Sequence, residues 1–112
     1  MGELRDDSAG LSYTLSARTL LGRGNGCDVR LEAALVSSEH ASLFWTGQAW
    51  MIRDLASRNG TFVDGHAVPA RGDGDAIVLQ PNQTVMFGTF LTTFASAASV
   101  HALANRIGAA LR

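Results

Sequence analysis

The chain has 112 residues, a formal charge of −1 and an apolar fraction of 46%. This length encloses one hydrophobic core, and the charge excludes a general attraction to nucleic acid or anionic membranes. The single cysteine, Cys27, excludes an internal disulfide and a thiolate metal cluster. The sequence has no signal-peptide pattern and no apolar run of membrane-spanning length, so we expect a cytoplasmic protein.

Short segments of alternating or continuous apolar character recur along the chain and are separated by turn residues. The predicted strands are residues 11–15, 19–21, 29–31, 40–45, 50–54, 61–63, 76–79, 84–87 and 90–94. Many short strands at close spacing are typical of an antiparallel sandwich and not of alternating βαβ units. We therefore predict an all-β sandwich.

The end of the sequence has a different periodicity. The apolar residues that recur there at helical spacing are Val100, Leu103, Ala104, Ile107 and Leu111. Arg106 and Arg112 stand late in the segment, where cations complement a helix dipole. We predict a sandwich over residues 1–95 and a tail over residues 96–112, with an amphipathic helix at 97–111. Its apolar face either packs on the sandwich, pairs with another chain or leads into a further domain.

Four segments carry the polar groups of a candidate binding site: residues 22–23, 27–31, 36–41 and 54–65. Arg23 follows an apolar strand and opens a glycine-rich loop, so its guanidinium can project over one end of the sandwich. Ser37 follows another loop, and its hydroxyl can donate to an anionic oxygen. Asn59-Gly60 suits a tight turn because both residues tolerate positive φ. Loops gather at the ends of a sandwich, so these groups would suit a phosphate dianion and an extended peptide.

The ordered spacing GR, SxxH and SxNGTxVxG over residues 22–65 resembles the signature of the forkhead-associated (FHA) domain family. Residues 85–88 fit the rest of that fold. The resemblance implies an FHA-type (SMAD/FHA-like) antiparallel β-sandwich of about eleven strands. It also implies that the loops at one end bind phosphothreonine peptides.

The resemblance implies a role for each motif residue. The implied phosphopeptide-binding residues are Arg23, Ser37, Ser38, Arg58 and Asn59, and the implied loop-structuring residues are Gly22, His40 and Gly60. Arg23 and Arg58 would contact the phosphate, and Ser37 would donate to another of its oxygens. Asn59 would hydrogen-bond the peptide backbone beside the phosphothreonine.

Two positions depart from the family pattern. Ser38 stands where an arginine is frequent, so it supplies a hydroxyl but less charge. Asp64 stands where asparagine is more frequent, and we expect it to add a negative charge near the site. Phosphate binding should survive both changes, with modest affinity. If loop 71–75 lies beside the peptide, its aspartates would favour a basic residue after the phosphothreonine.

The predicted function is a phosphothreonine-dependent protein–protein interaction module in Ser/Thr-kinase signalling, in a bacterial or a eukaryotic cell. Its partner would be a phosphothreonine-containing protein, such as a kinase or a kinase substrate. The alternative is an FHA-like scaffold or oligomerisation module that binds partners without phosphate, through its sheet surface or its tail helix.

Other classes of function are not expected from this sequence. His40, His66 and His101 lack metal-ligand spacing, and no nucleophile–base set indicates an enzyme. We expect no cofactor, because the glycine-rich segment 22–27 lacks the third glycine of a dinucleotide fingerprint and precedes a strand. Trp45 and Trp50 flank a predicted hairpin, which favours sandwich core over a base-stacking platform for nucleic acid.

Overall fold

A computed structural model describes residues 2–69 and 76–96 of the chain. Within these ranges the protein is a β-sandwich of eleven strands and two sheets. The strands are β1 (Gly2–Asp6), β2 (Leu11–Leu15), β3 (Arg18–Gly22), β4 (Val29–Arg30), β5 (Ala41–Trp45), β6 (Trp50–Asp54), β7 (Thr61–Val63), β8 (His66–Ala67), β9 (Ile77–Leu79), β10 (Thr84–Phe87) and β11 (Phe90–Ser96). The all-β prediction is therefore confirmed.

The two sheets have the strand orders β2-β1-β11-β10-β7-β8 and β4-β3-β5-β6-β9. Neighbouring strands are antiparallel except β3 and β4, which pair in parallel. Within the described ranges, no helix has the length and apolar character needed to cross a membrane.

The nine predicted strands are all present, with ends shifted by a residue or two, but β1 and β8 were not predicted. β1 contains a glycine and three charged residues, and Leu4 is its one large apolar side chain. β8 has two residues, both exposed. Neither segment shows the alternation that indicates a strand, so pairing with neighbouring strands defines both.

The end of the sandwich also differs from the prediction. β11 extends through Ser96, which the sequence pattern assigned to the tail. The predicted helix 97–111 and the aspartate-bearing loop 71–75 lie outside the described residues.

Alternate side chains of both sheets point inward and form one core. Its fully buried members include Leu4, Leu21, Leu43, Ile52, Val85, Phe87 and Phe94. Trp50 packs edge-on against Phe94, with ring centroids 5.8 Å apart. Removal of this apolar surface from water is the main contribution to stability. The prediction of two core tryptophans is right for Trp50 and wrong for Trp45, which is 38% exposed because it directly precedes the β5–β6 turn.

Several loops meet at one end of the sandwich, which we call the loop rim and define as residues 23–28, 31–40, 55–60 and 88–89. Backbone hydrogen bonds join these loops to one another. The Arg23 N–H donates to the Ser37 carbonyl over 2.9 Å, and the Gly88 N–H donates to the Gly60 carbonyl over 2.8 Å. Segments that are distant in the chain are thus held together at the ends of the strands.

Candidate binding site at the loop rim

Arg23 and Ser37 lie side by side at the loop rim. Besides the bond from the Arg23 N–H to the Ser37 carbonyl, the Gly24 N–H donates to the Ser38 carbonyl over 3.0 Å. These two bonds extend the pairing of β3 with β5 beyond the strands, because they join the chain that follows β3 to the chain that precedes β5. Because both are main-chain bonds, the placement of the two residues does not depend on side-chain rotamers.

The Ser37 hydroxyl has a defined partner on a third loop. The Arg58 N–H donates to Ser37 Oγ over 3.0 Å, so this oxygen acts as an acceptor. A serine hydroxyl also has one hydrogen to donate. Within the described residues no acceptor takes that hydrogen, so it is available to an oxygen of a ligand at the rim.

Two guanidinium groups are exposed at the rim. Arg23 donates through Nη1 to the Ala34 carbonyl over 3.2 Å, which leaves most of its five N–H donors for other partners. The Arg58 side chain makes no hydrogen bond to any described residue. Neither arginine belongs to the two ion pairs found among the described residues. Two cations without a carboxylate partner favour an anionic ligand.

Asn59 joins the same loops through its side chain. Its Nδ2 donates to the Leu35 carbonyl over 3.0 Å. The residue is exposed, and the amide retains a second N–H and an acceptor oxygen. That pair of groups suits the main chain of an extended peptide, which presents both a carbonyl and an N–H.

A buried carboxylate shapes the loop that carries Arg58 and Asn59. Asp54 is 3% exposed and accepts hydrogen bonds from the Ser57 N–H at 3.1 Å and the Thr61 hydroxyl at 2.6 Å. The Ser57 hydroxyl also donates to this carboxylate and accepts from the Gly60 N–H. This role of Asp54 was not predicted from the sequence. An aspartate at a strand end with a serine three residues later is a known turn signal and could have revealed it.

His40 connects two of the rim loops from inside the protein. Its ring is fully buried; Nδ1 accepts from the Ser37 N–H at 3.0 Å, so Nε2 carries the hydrogen and donates to the Gly60 carbonyl at 2.8 Å. Burial lowers the pKa of His40, although the Gly60 carbonyl and Asp54 oppose this effect. The neutral imidazole thus holds Ser37 and Gly60 in place.

Gly22 is placed where any larger residue would collide with the rim. A Cβ at this position would overlap the Ser38 carbonyl group and press on Cys27 Sγ. The same Ser38 carbonyl accepts a hydrogen bond from the Cys27 thiol at 3.0 Å. Ser38 itself is exposed, and its hydroxyl has no hydrogen-bond partner among the described residues.

Asp64 does not lie at the rim, which corrects the expectation of a negative charge near the site. It follows β7 at the end opposite Gly60, because β7 runs from Thr61 away from the rim. Its carboxylate accepts hydrogen bonds from the Thr84 N–H at 2.9 Å and Gln83 Nε2 at 3.0 Å. These bonds, the Thr84 N–H first, lower the pKa of Asp64. The aspartate therefore closes a turn remote from the rim.

The part of the chain that the structure describes contains no group of three His, Cys, Asp or Glu side chains that could hold a metal ion. The polar groups that the rim presents are instead the guanidiniums of Arg23 and Arg58, the hydroxyls of Ser37 and Ser38, and the amide of Asn59. This set can bind an anion and an adjoining peptide.

Comparison of the sequence with known proteins finds the family that the motifs of residues 22–65 resemble. A family model described as FHA domain matches residues 19–88. The chain is 34% identical over 84 residues to the FHA domain-containing protein FhaA of Mycobacterium tuberculosis. This match covers 72% of the chain but 16% of FhaA, so the chain spans about a sixth of that relative's length.

Solved structures are also similar to this chain. The structure of Mycobacterium tuberculosis EmbR in complex with a low affinity phosphopeptide has a TM-score of 0.76 and 30% sequence identity, and the match covers 84% of this chain and 24% of EmbR. The FhaA FHA domain complexed with the intracellular domain of Rv3910 has a TM-score of 0.73 and 28% identity, over 84% of this chain and 99% of that one.

Proposed function

This chain belongs to the FHA domain family, and from that premise we propose that its loop rim binds a phosphothreonine and the extended peptide around it. The protein is then an interaction module and not an enzyme. The observation that carries the proposal is the backbone hydrogen bond between Arg23 and Ser37, because it places side by side at the rim the two residues that supply a guanidinium and a hydroxyl.

The rim groups divide the recognition between them. Arg23 and Arg58 neutralise the phosphate, and Ser37 and Ser38 donate hydroxyl hydrogens to its oxygens. Each charge-assisted hydrogen bond contributes about 1.5–3 kcal/mol. An unmodified threonine has no charge for the arginines to neutralise, so phosphorylation of the partner switches binding on.

Asn59 binds the peptide main chain beside the phosphorylated residue. It holds the register of the peptide, while the phosphate supplies most of the affinity. Threonine is preferred over serine because its methyl group is buried on binding, which contributes about 0.8 kcal/mol.

The partner is a phosphothreonine-containing protein, such as a Ser/Thr kinase or a kinase substrate, and the setting is cytoplasmic signalling. Support comes from the relatives, since EmbR has been seen with a phosphopeptide and the FHA domain of FhaA with the intracellular domain of Rv3910. Those ligands belong to those proteins, and the partner of this chain is to be found with a phosphopeptide library.

The test is the dissociation constant for the best phosphothreonine peptide from that library, measured by calorimetry. Arg23→Ala should weaken binding at least tenfold, since the loss of one charge-assisted bond exceeds about 1.4 kcal/mol. Ser37→Ala should also weaken it. The control is Arg5→Ala, which removes an exposed arginine that is paired with Glu3 on β1.

The unphosphorylated peptide should bind no variant. Equal affinity of the wild type and Arg23→Ala for the phosphopeptide would remove the assigned site. Equal affinity for the two peptide forms would favour a scaffold that binds without phosphate.

A further inference from the structure

The outer face of the sheet β4-β3-β5-β6-β9 contains an open groove of about 520 Å³. We call it the sheet groove and define it by Arg18, Leu20, Phe44, Arg53 and Leu55. It lies on the side of the sheet that faces away from the core.

The register of the strands explains the shape of the groove. Leu20 of β3, Ser42 of β5 and Arg53 of β6 are direct neighbours across the sheet. Ser42 is the smallest of the three, so it leaves a depression between larger side chains. In the next row, Arg18 and Phe44 are opposite each other and close one end of the depression.

The groove has an excess of positive charge. Arg18 and Arg53 are exposed, and neither belongs to an ion pair of the described residues. The Arg53 guanidinium lies over the Phe44 ring, 5.6 Å from its centroid, which holds the cation at the wall. The one carboxylate in the lining, Asp28, already accepts the Leu20 N–H at 2.8 Å. Two arginines against one engaged aspartate attract an acidic partner.

The same face also carries apolar side chains that remain partly exposed to solvent. Leu20, Phe44 and Leu55 are half-buried in the groove. Met51 and Val78 continue the row of Phe44 across the sheet, and Val78 is 47% exposed. A contiguous apolar strip bordered by charges is a mark of a protein interaction surface.

We propose that the sheet groove docks an acidic protein segment that carries large apolar side chains. Its carboxylates pair with Arg18 and Arg53, and its apolar side chains enter between Leu20, Phe44 and Leu55. This contact requires no phosphate and does not use the rim arginines Arg23 and Arg58. Leu55 is the first residue of the rim loop 55–60, so the two surfaces adjoin and one partner can occupy both.

The experiment uses amide NMR spectra of the full chain and three short synthetic peptides without phosphate. The first peptide combines Asp and Glu with Leu and Phe. The second has Lys in place of the acidic residues, and the third has Ser in place of the apolar ones. The first should shift the amides of Leu20, Ser42, Phe44 and Arg53, and the other two should bind at least tenfold more weakly.

Charge-reversal variants identify the groove. Arg18→Glu and Arg53→Glu should each weaken the first peptide about tenfold. Arg5→Glu, on the other sheet, is the matched control and should leave the affinity unchanged. Arg23→Ala should also leave it unchanged, which separates this proposal from phosphate recognition at the rim.

Four results would overturn the proposal. The first is that the lysine peptide binds as tightly as the acidic one, and the second is that Arg18→Glu and Arg53→Glu leave the affinity for the acidic peptide unchanged. Without peptide, groove amide shifts that depend on protein concentration would mean that a second copy covers the face. Groove amide shifts caused by Leu103→Arg would mean that the chain's own tail covers the face.

Discussion

His40 is the residue on which the geometry of the loop rim depends most. Its ring accepts from the Ser37 N–H and donates to the Gly60 carbonyl, and only the neutral imidazole can do both. Protonation would place a second donor against the Ser37 N–H and a charge in a buried site. The free energy of unfolding must therefore depend on pH through this side chain.

We expect His40 to stabilise the protein above pH 6.5, its ordinary pKa, because the folded-state pKa is lower. As the pH falls below 6.5, the unfolded chain takes up a proton that the folded protein does not, so stability falls. The loss is at most about 1.4 kcal/mol per pH unit and ends below the folded-state pKa. Urea unfolding between pH 7.5 and 5 measures it.

The slope should disappear in His40→Gln and remain in His66→Ala, which removes an exposed histidine of β8. An unchanged slope in His40→Gln would show that other groups cause the pH dependence.

At the scale of elements, the connection between β6 and β7 is a small structure of its own. Asp54, at the end of β6, accepts three hydrogen bonds from Ser57 and Thr61, and thereby closes the loop in between. Arg58 and Asn59 occupy the tip of this loop and bind to the loop 31–40. A buried carboxylate thus positions two exposed candidate ligand-binding residues.

Asp54→Ala should lower both the stability and the phosphopeptide affinity. It leaves the buried Thr61 hydroxyl and the partly buried donors of Ser57 without their acceptor, and an unsatisfied buried donor costs about 1–3 kcal/mol. Urea unfolding and calorimetry measure the two effects. The matched control is Asp64→Ala, which removes an exposed carboxylate at the other end of β7 and should not change the affinity. A similar loss of affinity in both variants would contradict this account.

At the scale of the whole molecule, stability and recognition are located in different places. The core between the sheets supplies the stability, whereas the rim arginines are exposed and have no carboxylate partner in the part of the chain that the structure describes. A ligand that binds the folded state alone must then raise the melting temperature. The two properties can be changed separately by substitution.

A phosphothreonine peptide at a hundredfold excess over its Kd should stabilise the wild type by about 2.7 kcal/mol and raise Tm by several degrees. Arg23→Ala should melt at the same temperature as the wild type without ligand, and at the same peptide concentration its stabilisation should fall to about 1.4 kcal/mol or less. The shift in the wild type should shrink as the pH falls through 6, because the phosphate loses its second charge near that pH. Scanning calorimetry at pH 7.5 and 5.5 measures both; a shift that is independent of pH would count against recognition of the dianion.

The sequence predicted most of the strands because period-two alternation is a local property. It did not predict β1, where Leu4 is the one large apolar side chain, because that strand depends on pairing with β2 and β11. The order of the motifs likewise indicated Arg23, Ser37 and Asn59 as the polar groups of one site. The position of Asp64 was misjudged, since proximity in the chain does not show at which end of a strand a residue lies.

The sequence alone determined the all-β class and the chemical groups available for binding, because alternation and motif order can be read along the chain. The tertiary structure alone decided which of these groups meet: that the Arg23 N–H contacts the Ser37 carbonyl, that His40 is held neutral between two loops, and that Ser42 lies between Leu20 and Arg53. The physical reason is that such contacts depend on strand register between residues far apart in the chain. Local pattern does not encode that register, and the packing of the whole core selects it.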